Sequence, residues 1–244
     1  MTGLRPVDGD TRGIIRDSGA APRSVSIAWG ITALVGFSGF ILLTWLVASR
    51  SVIPFDQLLL ALGRSWDRYT DVWNLLSNAA NLPLIAIGVG IVLWLLLNHR
   101  HREAVLVILV LAAVTAGSEA VKQLVARPRP PGSDTVVPGV VYSFPSGHVL
   151  EAITIFGIIT ILLWRSSVPS PVKGAVVIAV SIFVALVAVA RVALNAHYPS
   201  DVLAGFLAGV GVLAVFALLT AHRQAPPGRT IRDRAATSNG HPDA

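Results

Sequence analysis

The chain has 244 residues, 54% of them hydrophobic and only 13% charged, with a mean hydropathy of +0.70 and a formal net charge of +6. An ordinary soluble domain is roughly 25% charged, so this composition excludes a disordered chain, a collagen-like repeat and a typical cytosolic enzyme. Cysteine is absent, which also excludes disulfides, thiolate nucleophiles and zinc–thiolate sites.

Residues 1–25 are polar, carry Arg5, Arg12, Arg16 and Arg23, and read as a disordered tail. Ser24–Ser49 is uncharged and long enough to cross a hydrocarbon core. It is too long for the apolar region of a cleaved signal peptide, about 7–15 residues, so it reads as a retained first span. Residues 50–71 mix Arg50, Arg64 and Arg68 with acids around the short run Leu58–Leu62. This predicts a loop with a short interfacial helix. Val72–Asn98 is again uncharged, with Pro83 marking a kink or a start. Four further apolar runs follow at Ala104–Ser118, Ala152–Trp164, Gly174–Ala190 and Val202–Ala221. Residues 222–244 form a polar, basic tail. The expected fold is therefore all-α: a six-span membrane bundle over 26–221, flanked by disordered tails at 1–25 and 222–244.

Alternating direction brings the unusual polar residues together. Lys122 and Arg191 close the third and fifth spans, and His148 and His197 open the fourth and sixth. In an up-down bundle those four ends share one membrane face. Placing both tails inside leaves twelve of the 19 Lys and Arg on the inner side. Four of the remaining seven are Lys122, Arg127, Arg129 and Arg191 of the polar cluster itself. The positive-inside bias then predicts cytoplasmic termini and a polar cluster facing outward. Charge of this kind orients a chain in a cell membrane, and nucleic acid is not an expected partner.

Three patterns carry the chemistry: Lys122-Gln-Leu-Val-Ala-Arg127-Pro-Arg129-Pro130, Pro145-Ser146-Gly147-His148, and Arg191-Val-Ala-Leu-Asn-Ala-His197-Tyr-Pro-Ser-Asp201. A charge at the bilayer centre costs about 2.5–3.5 kcal/mol on insertion scales, less near a span end where long side chains snorkel. Cations from separate segments would repel one another, and an anion between them resolves that repulsion. A phosphate suits the bidentate geometry of Arg and the point charge of Lys. Ser146 and Gly147 stand at the start of the fourth span, where backbone N–H groups favour an anion. Asp201 follows His197 by four residues, about one helical turn. A carboxylate on one ring nitrogen would leave the other free to attack, while His148 offers a second imidazole as acid.

The series Lys-x6-Arg-Pro, Pro-Ser-Gly-His and Arg-x5-His-x3-Asp resembles the type 2 phosphatidic acid phosphatase (PAP2) superfamily, over about residues 70–220. The resemblance implies a phosphatase that needs no metal or other cofactor and works through a phosphohistidine. It implies His197 as nucleophile, Asp201 as its orienting group and His148 as the proton donor to the leaving oxygen. Lys122, Arg129, Ser146, Gly147 and Arg191 would hold the phosphate oxygens. One departure is Ala190, where the family often has Ser, which removes one possible hydroxyl contact.

Some residues stay open at this level. Arg127 could touch phosphate, but reads rather as a partner for a lipid headgroup or a shield for its loop. Glu119 reads as a partner for Lys122. Glu151 lies three residues after His148 and either tunes that ring or pairs with a cation. Gly205, Gly209 and Gly211 read as close-packing positions in the sixth span. The expected substrates are lipid phosphates in the bilayer: a polyprenyl diphosphate, phosphatidic acid or phosphatidylglycerophosphate. Two rivals are a vanadium-dependent haloperoxidase, disfavoured by six apolar spans, and a lipid-binding or transport protein with a decayed site, disfavoured by the full residue set.

Overall fold

The structure is a computed structural model that describes residues 23–51, 53–133 and 142–221. Among them are eight α-helices: α1 (Arg23–Ala48), α2 (Pro54–Arg64), α3 (Thr70–Ala79), α4 (Leu82–Leu97), α5 (His101–Val125), α6 (Gly147–Trp164), α7 (Ser170–Ala193) and α8 (Pro199–Ala221). Six segments are long and apolar enough to cross a membrane, with α3 and α4 together forming the second. The protein is thus an all-α, multi-pass membrane protein. The short helix α2 between the first two spans matches the expected extra helix. Most of the expected tails, residues 1–22 and 222–244, lies outside the described residues; Arg23, Ser24 and Val25 already belong to α1.

The helices run past the apolar stretches that announce them. α5 continues through Glu119 and Lys122, α6 begins five residues before Ala152, and α7 includes Arg191. The cause is local pairing at the span ends. Lys122 Nζ lies 3.3 Å from Glu119 Oε2, one turn back, and the chain leaves α5 through a left-handed Ala126 that returns its N–H to the Lys122 carbonyl. The second span breaks at Ala80–Asn81, and Pro83 occupies the first turn of α4. A proline there lacks only an N–H that a helix start leaves unpaired in any case.

The bundle is organised around α8. One side of it carries α1 and another carries α6, and small residues permit both approaches. A Cβ added at Gly36 of α1 would lie 2.8 Å from the Leu207 carbonyl oxygen and 2.9 Å from the Gly211 nitrogen. A Cβ at Gly205 would lie 2.6 Å from the carbonyl oxygen of Ser146, at the entry to α6. Helices in lipid gain little from hydrophobic exclusion, so close backbone contact is a main source of their association. A second contact pins the same place: the Ser146 N–H donates to the Asp201 carbonyl at 3.0 Å. The start of α6 and the start of α8 are therefore locked together.

Below this junction α6, α7 and α8 splay. Between them lies an open apolar groove of about 860 Å³ that runs from Val149, Val192 and Pro199 down to Ile161, Val177 and Leu213. Leu59 and Leu62 of α2 and the nearby Trp66 also line it. At the opposite end of the bundle, Arg100 pairs with Glu103, and Lys173 donates to the carbonyls of Trp164 and Ser166.

Gly36→Ala should overpack the α1–α8 contact at a cost of about 1–3 kcal/mol. Gly30, on the same helix, has nothing within 4 Å of an added Cβ, so Gly30→Ala should be neutral or slightly favourable. Thermal unfolding in detergent checks the pair, with a midpoint several degrees lower expected for Gly36→Ala alone.

Candidate active site

The end of the bundle where α5 and α7 finish and α6 and α8 begin collects the polar residues. Lys122 sits in the last turn of α5, and an added Cβ on Gly147 would stand 3.7 Å from its Nζ. Ser146 is the N-cap of α6 and Gly147 and His148 open the helix. Arg191 lies in the last turn of α7, 5% exposed, and its Nη1 donates to Ser77 Oγ of α3. The α7–α8 turn passes through Asn195 at a φ of 52°, the left-handed region that asparagine tolerates best among larger residues. The N–H groups of Ala196 and His197 return to the Arg191 carbonyl. That short turn fixes His197 close to Arg191. Arg129, on the loop after α5, donates from Nη1 to the Ala196 carbonyl at 3.0 Å.

His148 lies within the electrostatic reach of Arg191, Lys122 and Arg129 and of the His197 ring. Two imidazoles and three cations thus converge from separate segments. The orphaned donors point the same way. Ser146 Oγ, His148 Nε2 and Arg191 Nε are buried without a hydrogen-bond partner among the described residues. Buried polar atoms are seldom left so, and a tetrahedral oxyanion between them would satisfy several at once. Among the described residues no group of three or more His, Asp or Glu side chains is arranged to hold a metal ion.

His197 is 3% exposed. Its Nδ1 lies 2.7 Å from the Ser143 carbonyl oxygen and 3.7 Å from Asp201 Oδ2. The first is a hydrogen bond and the second only an electrostatic contact. A carbonyl can only accept, so Nδ1 carries the hydrogen and, in the neutral ring, Nε2 keeps its lone pair. Asp201, fully buried, accepts the Tyr198 N–H at 2.9 Å on Oδ2 and the Arg127 guanidinium on Oδ1. Its pull on the ring is thus exerted through space, across the turn it caps.

Sequence reasoning passes over four contributors. Arg127, which reads as a headgroup partner or a shield, turns inward and bridges Asp201, Ser200 and Asp56. Asp56 comes from α2, and Ser77 from α3, where nothing in the local pattern marks them. Ser143 acts through its backbone, which no side-chain motif records. Glu119 does pair with Lys122, and Glu151 lies near Lys122 and the Thr115 hydroxyl.

A family model of the PAP2 superfamily matches residues 103–225, half of the chain. The chain belongs to the PAP2 superfamily. As a member with six spans it is a membrane-embedded PAP2-type phosphatase. Its fold is similar to the crystal structure of a transmembrane PAP2-type phosphatidylglycerolphosphate phosphatase from Bacillus subtilis, with a TM-score of 0.61 and 23% sequence identity over 75% of this chain and 94% of that one. Among curated proteins no significant match was found. The family match begins at residue 103, so α1 to α4, with Asp56 and Ser77, lie outside it.

Burial pushes the His197 ring down from its ordinary value of 6.5 to about 4, aided by Arg191 and opposed by Asp201. Burial likewise lowers Arg129, while Arg127, despite its burial, is held above its ordinary range by Asp201 and Asp56. The depressed value means that His197 is neutral at pH 7. It favours the native state above pH 6.5, and that contribution is lost as pH falls towards 4, because the unfolded ring takes up a proton first. A titration of labelled histidines by NMR should give His197 a midpoint below about 5 and an Nδ1–H tautomer at pH 7. A midpoint at or above 6.5, the ordinary value, would contradict the assignment.

Proposed function

We propose that the protein hydrolyses a lipid phosphate or diphosphate at the outer face of the cell membrane, without a metal ion, through a phosphohistidine intermediate. The observation that carries this reading is the convergence of His148, His197, Lys122, Arg129 and Arg191 around the buried donors Ser146 Oγ, His148 Nε2 and Arg191 Nε, which have no hydrogen-bond partner among the described residues. Such preorganised donors are usually the largest catalytic contribution in transfer of a charged group.

In this reading Lys122, Arg129 and Arg191, with Ser146 and the first N–H groups of α6, bind the phosphate oxygens. Nε2 of His197, left with its lone pair by the Nδ1–Ser143 hydrogen bond, attacks phosphorus. The bond from phosphorus to the lipid oxygen breaks, and His148 delivers a proton to that oxygen. His148, now deprotonated, then takes a proton from water as the water oxygen attacks phosphorus. The phosphorus–nitrogen bond breaks, and inorganic phosphate leaves from a His197 restored to neutrality. Asp201 stabilises the charge that His197 gains in the first step.

The lipid's apolar chain has room in the groove between α6, α7 and α8, whose lining includes Val149 and Val192, the chain neighbours of His148 and Arg191. Moving a tail from bilayer to groove removes little apolar surface from water, so selectivity falls to the headgroup and the shape of that groove. The likeness to the Bacillus subtilis enzyme favours phosphatidylglycerophosphate as one candidate; phosphatidic acid and polyprenyl diphosphates are the others. Both termini on the cytoplasmic side agree with the basic residues Arg23, Arg100, Arg102, Arg165 and Lys173 at the end of the bundle opposite the site.

Phosphate release by the purified protein in detergent, with a chelator present, tests the reading across those three lipid classes. His197→Ala is expected to fall to background. His148→Ala should lose roughly 10²–10⁴-fold on alkyl phosphates, the usual range for a general acid, and less on aryl phosphates, whose leaving group needs no proton. Vanadate should inhibit, and raising the lipid phosphate concentration should relieve that inhibition competitively. Normal turnover by His197→Ala would reject the nucleophile assignment.

A further inference from the structure

The start of α8 is held by a carboxylate from outside the PAP2 core. Asp56 on α2 is 2% exposed. Its Oδ1 accepts the Ser200 N–H at 2.8 Å, and its Oδ2 accepts the Ser200 hydroxyl and Arg127 Nη2, each at 2.7 Å. An acid at this place satisfies an N–H that a helix start otherwise leaves unpaired, and it complements the positive end of the helix. Arg127 extends the connection. Its Nη1 reaches Ser200 Oγ at 2.7 Å and Asp201 Oδ1. Its guanidinium lies over the Tyr198 ring, 3.8 Å from the centroid.

The backbone of Arg127 works on the other side of the nucleophile. Its carbonyl accepts the Ser143 N–H at 2.9 Å, and the Ser143 carbonyl in turn accepts Nδ1–H of His197. One residue therefore positions both groups that face Nδ1: the Asp201 carboxylate through its side chain and the Ser143 carbonyl through its backbone. Asp56 balances the other end of the guanidinium. Without it, Arg127 would keep Asp201 as its carboxylate partner and lose the tie that fixes it to α2.

We infer that Asp56 is a positioning residue, which through Arg127 and Ser200 fixes the two groups that orient the His197 ring. This rests on the proposed role of His197 as nucleophile. Asp56 touches neither phosphate nor His197 directly, so its loss should disturb the timing of attack and leave phosphate capture by Lys122, Arg129 and Arg191 largely intact. An asparagine there keeps one acceptor for Ser200 but cannot also take the guanidinium charge.

The test uses the full chain in detergent and whichever lipid phosphate the parent turns over. Asp56→Asn is expected to lower kcat by about tenfold to a hundredfold with KM changed less than about threefold. Arg127→Gln should do the same, and the double variant should be no worse than the poorer single one, since residues that act as a unit are not additive. Three results would overturn the inference: kcat within about threefold of the parent in Asp56→Asn, a rise in KM that accounts for the whole loss, or losses that multiply in the double variant. If Asp56→Asn does not purify folded, Arg127→Lys is measured in its place. It keeps the charge but cannot bridge two carboxylates in a fork, so the same fall in kcat is expected, and kcat within about threefold of the parent rejects the inference. A parent inactive on every lipid phosphate would instead sink the functional reading, which keeps the two failures apart.

Discussion

Three cations held together at the end of an apolar bundle impose the condition on which everything else rests. Lys122, Arg129 and Arg191 belong to three segments, and each raises the electrostatic cost of the others. Lys122 has an acid of its own, Glu119, and that acid is largely exposed to solvent. Arg191 donates to a neutral hydroxyl. Neutral acceptors fix a side chain in space without cancelling its charge. The positive potential is thereby kept for an incoming anion, which would lose much of its binding energy to a cation already neutralised by a carboxylate in contact.

The two acids that are fully buried nearby serve a different arginine. Asp56 and Asp201 share Arg127, so the region divides into a half rich in carboxylates and a half rich in cations, separated by a single turn of chain. The first half holds the start of α8 and the groups around Nδ1 of His197. The second lies within electrostatic reach of the His197 and His148 rings. In the function we propose, this division lets one imidazole ring be held on one edge and meet a charged substrate on the other. Close backbone packing of α8 against α6, through Gly205, keeps the two halves in register.

Much of this is legible in the sequence, and the reason differs by residue. The six spans follow from the cost of charge in hydrocarbon, which leaves long uncharged stretches that need no structure to be seen. The convergence of His148, His197 and Arg191 follows from alternation alone, because spans that reverse direction return their ends to the same face. Helix boundaries are less legible, since Glu119, Lys122 and Arg191 look like terminators, while the Glu119–Lys122 pair and the contact of Arg191 with Ser77 accommodate them in the helices. Asp56, Ser77 and Ser143 are illegible for a physical reason. Their contributions are single acceptor groups delivered across tertiary contacts between residues distant in the chain, and one of the three is a backbone carbonyl with no side-chain signature. Arg127 is misleading because an arginine beside prolines in a surface loop gives no hint of two carboxylates waiting beneath it.

The choice of a backbone carbonyl as the near partner of Nδ1 has a chemical consequence. A carboxylate in direct contact would stabilise the doubly protonated ring before substrate arrives and so withdraw the lone pair that the proposed attack needs. A carbonyl fixes the same tautomer without that full charge, and burial keeps the ring neutral. In the mechanism we propose, Asp201, one step further off, lowers the energy of the positive charge that comes onto the ring when the phosphorus–nitrogen bond forms. For the nucleophile we propose, neutral before attack and cationic after it, a near dipole and a distant charge serve better than a near charge alone. The arrangement around His197 has that order, and Arg127 is the residue whose two ends maintain it.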